Sequence, residues 1–126
     1  MNLLLDTNIL LRAMNEPENL PSQAREEIKK ALTIYVSAAS IWEISIKTAL
    51  GKLNVNIDRL VTNLRQMKVQ ELPVSWEHAS YIRNLPPIHR DPFDRILVAQ
   101  ALSEPMRLLT SDHLLTQYSE LVIAIN

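Results

Sequence analysis

The chain predicts an α/β domain with a mainly parallel sheet, and three observations lead there. Short apolar runs typical of strands alternate with segments typical of helices. Such alternation is characteristic of βαβ units, whose parallel sheet is covered by helices on both faces. The length of 126 residues suits one domain over residues 1–126, and no repeat, linker or low-complexity stretch divides it.

The first part of the chain predicts a strand, two helices and a second strand. Asn2–Leu5 is a short apolar run, and Thr7–Met14 is predicted to be a helix. Pro21 falls near the first turn of the next predicted helix, Ser22–Leu32, where its missing N–H costs no hydrogen bond. Ile34–Val36 is β-branched and aromatic, which is typical of a strand.

The middle of the chain predicts two helices and a strand. Ser40 is expected to cap a helix over Ile41–Leu50. Gly51 is expected to end that helix, because glycine readily adopts the left-handed conformation found just after helices. Asp58–Lys68 carries apolar residues at helical spacing, and Val69–Leu72 is predicted as the strand that follows it.

The rest of the chain continues the alternation. Its predicted elements are a helix capped by Ser75 and running to about Asn84, a helix from Pro92 to about Glu104, a strand over Arg107–Thr110, a short helix after Asp112 and a strand over Leu121–Ile125. The strands are therefore expected to be linked through helices and to run parallel.

Composition excludes several kinds of chemistry. The chain has no cysteine, which removes disulfides, thiolate zinc sites and thiol nucleophiles. Its single glycine is too few for a Walker A loop or a dinucleotide fingerprint. A net charge of −1 gives no overall attraction to nucleic acid, although a local basic patch is compatible with it. No apolar run reaches membrane-spanning length and Asp6 interrupts the first one, so we expect a cytoplasmic protein without a membrane anchor.

Four acidic residues occupy positions that meet at one edge of the predicted sheet. Asp6 and Asp112 close apolar strand-like runs, while Glu43 and Asp94 fall in the first turn of two predicted helices. When parallel strands alternate with helices, all of these positions lie at the edge where open α/β sheets bind their ligands.

Each acid also has a purely structural explanation. Glu43 would form a capping box with the serine three residues earlier, and Asp94 would be favoured by the helix dipole behind an Asp91 cap. Asp6 and Asp112 would each cap the helix that follows. Because acids are common at helix starts, each one taken singly favours the capping role.

Taken together, the acids favour a metal site. Ser, Thr and Asn cap helices equally well, so capping does not require a carboxylate at every one of these positions. Two carboxylates about 5 Å apart repel by about 3 kcal/mol at an effective dielectric of about 20, and a bound cation removes that cost. Hard oxygen ligands suit Mg²⁺ or Mn²⁺. We therefore predict that Asp6, Glu43, Asp94 and Asp112 are the metal-binding and catalytic residues.

Basic side chains lie near these acids in the sequence. Arginine beside a metal site would hold a phosphodiester, so Arg90 and Arg95 are predicted to bind substrate phosphate. The alternative for Arg95 is a solvated surface position. Lys47 lies one helical turn after Glu43, and both a phosphate role and an i,i+4 ion pair with Glu43 stay open.

Other polar and aromatic residues have less distinctive patterns. Thr7 is expected to cap the first helix, whereas Asn8 stays open between capping and positioning a water. His78 is expected to be an ordinary surface or half-buried residue. Trp42 and Phe93 are expected to pack in the core rather than to stack on bases.

Four segments, taken in this order, resemble those of PIN-domain proteins, and more narrowly the VapC toxins of bacterial type II toxin–antitoxin pairs. The segments are Leu4–Asn8, Ser37–Ile44, His89–Ala101 and Leu109–Asp112. The first and last are short, and the Asp-Pro-Phe-Asp-Arg stretch within the third, in order with the others, makes the resemblance specific.

The resemblance implies a three-layer α/β/α sandwich with a central, mainly parallel sheet, and a metal-dependent ribonuclease that is usually a homodimer. It places the metal-site acids at Asp6, Glu43, Asp94 and Asp112. Asp91 is a further candidate, which we expect to be a helix cap instead. The resemblance also implies a cognate antitoxin whose tail occupies the groove at the site.

We therefore expect an endoribonuclease dependent on Mg²⁺ or Mn²⁺, which activates a water for in-line attack on an RNA phosphodiester. A phosphatase of the haloacid dehalogenase type is disfavoured, because it needs a second Asp where this chain has Asn8. The alternative is a non-catalytic PIN-like module that binds RNA or protein, which would be expected to have lost one or more acids. The RNA that is cut and the number of metals stay open.

Overall fold

One parallel sheet organises the chain in the computed structural model, which describes residues 1–125. Its strands are β1 (Leu3–Leu5), β2 (Ile34–Ser37), β3 (Gln70–Leu72), β4 (Arg107–Thr110) and β5 (Val122–Ala124). The five strands are all parallel and lie in the order β3-β2-β1-β4-β5.

Helices cover both faces of this sheet. The α-helices are α1 (Thr7–Asn15), α2 (Ser22–Lys30), α3 (Ala38–Ala49), α4 (Ile57–Gln66), α5 (Trp76–Tyr81) and α6 (Pro92–Ser103). Short 3₁₀ helices span Pro17–Asn19, Ile82–Asn84 and His113–Tyr118. The predicted order of strands and helices is confirmed, and the short helix expected after Asp112 is the last of these 3₁₀ turns.

The two helical layers pack on opposite faces of the same strands. Helices α1 to α4 bury their apolar residues against the face that carries Leu3, Leu5 and Leu109. Helices α5 and α6, with the last 3₁₀ helix, cover the face that carries Leu4 and Leu108. Neighbouring residues of a strand point to opposite faces, so the alternation is the one that a strand requires. The three-layer α/β/α sandwich is thus confirmed.

The central strand β1 explains the apolar run at the start of the sequence. Leu3, Leu4 and Leu5 are 2%, 0% and 5% exposed, since β1 has a strand on each side and helices on both faces. A strand buried in this way is apolar throughout rather than alternating with polar residues.

Helix α3 begins earlier than predicted. Ser37, the last residue of β2, is its N-cap, and the Ser37 hydroxyl accepts a hydrogen bond from the amide of Ala39 at 3.0 Å. The strand runs directly into the helix without a loop, so the expected cap, Ser40, lies inside the first turn. The predicted role of Gly51 is confirmed, because it follows α3 with a φ of 74°.

The helices also bear on membrane association. Within residues 1–125, none of them combines the length and the apolar character that crossing a bilayer requires.

Candidate metal centre

The strand order brings the ends of β1, β2 and β4 side by side. Leu5 of β1 is opposite Val36 of β2 and Leu109 of β4, and all three strands point the same way. Asp6 follows β1 directly, and Asp112 follows β4 after one intervening residue. Helix α3 leaves the same edge from β2, so the first turns of α1 and α3 are neighbours there.

Asp6 is the most deeply buried of the predicted acids, at 4% exposure. One carboxylate oxygen accepts the amide of Ile9 at 2.7 Å, which makes Asp6 the N-cap of α1. The other accepts the hydroxyl of Thr110 at 2.5 Å. Burial raises the pKa of Asp6, and the hydrogen bonds from Thr110 and Ile9 oppose that rise. The capping role predicted as an alternative is therefore present, but it uses only one of the two oxygens.

Asp94 stands in the first turn of α6, as predicted, behind the Asp91 cap. The carboxylate of Asp91 accepts the amides of Phe93 at 2.8 Å and Asp94 at 3.4 Å, so its predicted capping role is confirmed. Burial, followed by the charge of Asp91, raises the pKa of Asp94 to about 6. Asp6 and Glu43 raise it by smaller amounts, which places all of these carboxylates within electrostatic reach of one another.

Glu43 differs from its predicted position. It lies in the second turn of α3, away from the first-turn amides, so the capping box with Ser40 is wrong. Glu43 is 7% exposed, and its carboxylate pairs with Nζ of Lys47 at 2.8 Å. That hydrogen bond is the largest cause of a raised Lys47 pKa, to which the charges of Asp91 and Asp94 also contribute. The i,i+4 ion pair left open in the sequence is therefore formed.

Asp112 meets the other acids through His89. One Asp112 oxygen accepts the amide of Leu114 at 3.0 Å, which caps the 3₁₀ helix, and the other lies 2.8 Å from Nε2 of His89. The same His89 nitrogen is 3.5 Å from Asp94. Single ligand atoms of His89, Asp94 and Asp112 all lie within 4.8 Å of one another, the spacing of groups that surround one metal ion.

The donor set fits a divalent cation. Burial is the largest cause of the raised pKa of Asp94, and crowding by the carboxylates of Asp91, Asp6 and Glu43 adds to it. A cation relieves this crowding better than a proton does, because it interacts with several carboxylates at once. Oxygen donors of this kind suit Mg²⁺ or Mn²⁺. Among the described residues, Asp6 and Glu43 are not part of the group formed by His89, Asp94 and Asp112. Asp6 is bonded to Thr110 instead, and Glu43 to Lys47.

The predicted phosphate-binding arginines have different surroundings. Nη1 of Arg95 donates to the carbonyl oxygens of Pro86 at 3.1 Å and His89 at 3.4 Å, and to the hydroxyl of Tyr118 at 3.1 Å. Arg95 thus ties the loop before α6 to the last 3₁₀ helix. Arg90 is exposed, and both arginines line a groove that also includes Phe93, the residue before Asp94.

That groove is largely apolar and has a volume of about 610 Å³. Trp42 and Phe93 line it and pack edge to face with ring centroids 5.0 Å apart. Trp42 is 63% exposed, so its predicted place in the core is wrong. Trp42 lies on a side of α3 that is open to the groove, which the residue spacing alone did not reveal.

Thr110 is a contributor that the sequence reasoning missed. Thr110 is 0% exposed, and its hydroxyl donates to Asp6 and accepts a hydrogen bond from the Asp112 amide at 3.0 Å. A polar residue closing an apolar strand next to a predicted acid was the available signal. Thr7 does not cap α1, because its hydroxyl donates to Ser40 at 2.9 Å. The amide oxygen of Asn8 accepts the hydroxyl of Ser111 at 3.1 Å, which adds a link between the ends of β1 and β4.

Comparison with known families assigns the chain. The model of the PIN domain family matches residues 3–121. The chain belongs to the PIN domain family. No curated protein sequence matches it significantly.

Solved structures similar to this PIN domain support the same fold. VapBC2 from Rickettsia felis, bound to a DNA fragment from its promoter, is 17% identical with a TM-score of 0.71, covering 100% of this chain and 98% of that one. VapBC-1 from nontypeable Haemophilus influenzae is 20% identical with a TM-score of 0.66, covering 98% of each chain. A toxin–antitoxin complex from Klebsiella pneumoniae is 17% identical with a TM-score of 0.66, covering 97% and 96%. At these identities the likeness establishes the fold.

Proposed function

We propose that this PIN domain is an endoribonuclease dependent on Mg²⁺ or Mn²⁺, and the toxin of a type II toxin–antitoxin pair of the VapC type. The observation that carries the proposal is the crowding of Asp6, Glu43 and Asp94 at one edge of the sheet, where burial and neighbouring acids raise the pKa of Asp94 to about 6. Carboxylates crowded in this way favour a divalent cation over solvent.

The acids have distinct roles in the proposed site. Asp6 is a rigid ligand, because the Ile9 amide and the Thr110 hydroxyl fix the orientation of its carboxylate. Glu43 is an exchangeable ligand, because it must release Lys47 at 2.8 Å before it can face a metal with both oxygens. When bound, a divalent ion supplies acidity to a water and stabilises charge on the leaving oxygen of a phosphodiester.

The phosphate contact falls to Arg90 before Arg95. Both arginines line the groove, but Arg90 is exposed, whereas Nη1 of Arg95 already serves three acceptors. A guanidinium in that groove suits the paired oxygens of a phosphodiester. The stacked Trp42 and Phe93 give the same groove an apolar wall on which a base or an apolar protein side chain would pack.

The toxin part of the proposal rests on the family and on the similar structures. Several of these are toxin–antitoxin complexes, and they match this chain over nearly its whole length. We therefore propose a cognate antitoxin as partner and the cytoplasm as the place of action, where cellular RNA is the substrate.

A homodimer is also part of this proposal. Trp42 and Ile46 of α3 and Leu50, its C-cap, recur every fourth residue and are 63%, 38% and 64% exposed. An apolar stripe of this kind is unusual on a solvent-facing helix and suits burial against another chain. Light scattering on the purified protein would give the mass, and a monomer at all concentrations would remove the homodimer from the proposal.

The deciding experiment is cleavage of total cellular RNA by purified protein with Mn²⁺, with EDTA, and with the Asp94→Asn variant. Discrete fragments that require both the metal and Asp94 are expected. If protein shown to be folded and free of antitoxin cuts nothing, a non-catalytic binding module becomes the better account. Expression in cells gives a second readout, in which Asp6→Asn is expected to abolish growth arrest, and equal toxicity of both forms would contradict catalysis.

A further inference from the structure

His89 is bound to the acidic site in only one of its two tautomers. The amide of Asp91 donates to Nδ1 of His89 at 3.0 Å, so Nδ1 carries no proton. The ring proton is therefore on Nε2, which donates to Asp112 at 2.8 Å. A carboxylate oxygen of Asp94 lies 3.5 Å from the same nitrogen.

This tautomer prevents His89 from being a metal ligand through Nε2. Coordination uses the lone pair of a deprotonated nitrogen, so the proton would have to move to Nδ1. A protonated Nδ1 would then face the Asp91 amide, and two donors would meet at 3.0 Å. Asp91 is the N-cap of α6, and its side chain and carbonyl oxygen both bond to that helix, which restrains the direction of its amide.

The backbone of His89 is fixed as firmly as its ring. Its amide donates to the hydroxyl of Tyr118 at 2.9 Å, and its carbonyl oxygen accepts from Arg95 at 3.4 Å. Arg95 also donates to Tyr118, so these three residues close a small network around the loop before α6. Tyr118 belongs to the 3₁₀ helix that Asp112 caps. The loop and the Asp112 segment are therefore one connected unit.

Asp112 depends on this unit for its orientation. Its side chain is 39% exposed, and the Leu114 amide restrains one of its two oxygens. The His89 N–H restrains the other and directs it toward Asp94. Hydrogen bonds of this sort from outside the metal site commonly set the orientation of metal ligands.

We propose that His89 is a positioning residue that holds Asp112 beside Asp94 for a divalent cation and does not itself bind the cation. The proposal rests on the proposed function, since it concerns the same metal site. Arg95 and Tyr118 act one step further out, by fixing the loop that presents His89.

Two substitutions separate the two contacts of the ring. In His89→Asn the amide oxygen still reaches the Asp91 amide two residues on, as in an Asx turn, but the side chain is too short for Asp112. In His89→Gln the amide nitrogen lies near the position of Nε2 and again donates to Asp112. His78→Asn and His78→Gln are matched controls, because His78 makes the same kinds of contact with Ser75 and Glu104, away from the acids.

The measurement is Mn²⁺ affinity, obtained by counting free Mn²⁺ with electron paramagnetic resonance, on variants shown to be folded by circular dichroism. His89→Asn is expected to weaken binding by about 10- to 100-fold, the range seen when a partner of a metal ligand is lost. His89→Gln is expected to recover most of the loss, and both His78 variants are expected to bind as the wild type. His89→Asn with wild-type affinity, or His78→Asn with the same loss, would overturn the proposal.

Spectroscopy of the bound ion supplies an independent result. No nitrogen coupling from a directly coordinated imidazole is expected in the Mn²⁺ spectrum, and finding one would also overturn the proposal. Wild-type protein that binds Mn²⁺ but cuts no RNA would defeat the ribonuclease proposal and leave the role of His89 intact. Wild-type protein that binds no Mn²⁺ would defeat both.

Discussion

Two histidines make the same pair of contacts at the two ends of α6. At its N-terminal end, His89 accepts a backbone amide at Nδ1 and faces Asp112 with Nε2. Toward its C-terminal end, His78 accepts the Ser75 amide at 3.0 Å and faces Glu104 at 2.5 Å. The two rings therefore have the same tautomer, each fixed by the backbone of its own loop.

The surroundings of the two rings differ. His78 is 3% exposed, completes the capping box of α5 and joins that helix to α6 through Glu104. It was expected to be a surface or half-buried residue, and that prediction was wrong. His89 is less buried, and a second carboxylate, Asp94, shares its N–H. The same hydrogen-bonding arrangement therefore meets a single carboxylate at His78 and two carboxylates at His89, where we propose that it orients a metal ligand.

Removing a carboxylate at each end tests the comparison most strongly. Asp94→Asn is expected to lower RNA cleavage by at least about 100-fold if Asp94 is the metal ligand we propose, because losing a metal ligand costs at least as much as losing one of its partners. Glu104→Gln is expected to leave the cleavage rate unchanged. Rates measured on the same RNA fragment would check this. An equal loss in both variants would contradict the difference between the two ends of α6.

Removing each histidine ring should affect stability more at His78 than at His89, the reverse of the order expected for cleavage. His78→Ala removes a buried ring and leaves the partly buried amide of Ser75 without its partner, so the free energy of unfolding is expected to fall by about 1–3 kcal/mol. His89→Ala should cost less, since the ring is more exposed and water can replace it. Urea denaturation without metal gives both values. A larger loss for His89→Ala would contradict the packing role assigned to His78.

The pH dependence of the free energy of unfolding tests the environment of Asp94, the second carboxylate beside His89. Its pKa is about 6 in the folded chain, above the ordinary value of 3.8, so the folded state binds more protons between these pH values. The free energy of unfolding contributed by Asp94 therefore falls as pH rises from about 3.8 to about 6. Without metal, Asp94→Asn should be more stable than the wild type above pH 6 by on the order of 1–2 kcal/mol, after allowance for solvent screening. The two proteins should converge near pH 3, and a constant difference at all pH values would exclude Asp94 as the cause.

The smallest expected effect concerns Lys47, whose ammonium group lies beside the acids. Lys47 pairs with Glu43 and also feels the charges of Asp91 and Asp94. Lys47→Met should tighten Mn²⁺ binding by several-fold, on the order of 1 kcal/mol, because it frees Glu43 and removes a competing charge. Lys30→Met, which breaks a surface pair with Glu27 at 3.6 Å, is the control. Weaker Mn²⁺ binding in Lys47→Met would indicate that Lys47 orients Glu43 for the metal instead.

Much of the fold was predictable because local patterns and tertiary demands agree. β4 was predicted with its observed bounds, and the other strands differ from prediction by a residue or so at their ends. The three-residue β1 was recognisable because a strand buried on both faces must be apolar throughout. Ser40 was a wrong cap because the sequence does not reveal that β2 enters α3 without a loop.

The gathering of the acids at one edge of the sheet was predictable, but their individual contacts were not. The acids could be placed because strand ends and helix starts in a parallel α/β sheet share one edge. The contacts of Asp6 with Thr110, and of His89 with Asp112, join residues far apart in the sequence, and no local pattern encodes them. The exposure of Trp42 was missed for a similar reason, because helical spacing gives the side of a helix but not what covers it.

The Asp6–Thr110 hydrogen bond also has a consequence for how the protein is made. The two residues are 104 positions apart, and they meet because β1, which ends just before Asp6, pairs with β4, which ends at Thr110. Contacts between distant parts of a chain form late in folding, after the entropy of a long loop has been overcome. A growing chain that has not yet released residues 107–112 therefore has Asp6 but lacks the hydroxyl that orients it. Synthesis itself keeps the site unassembled until β4 can join the sheet.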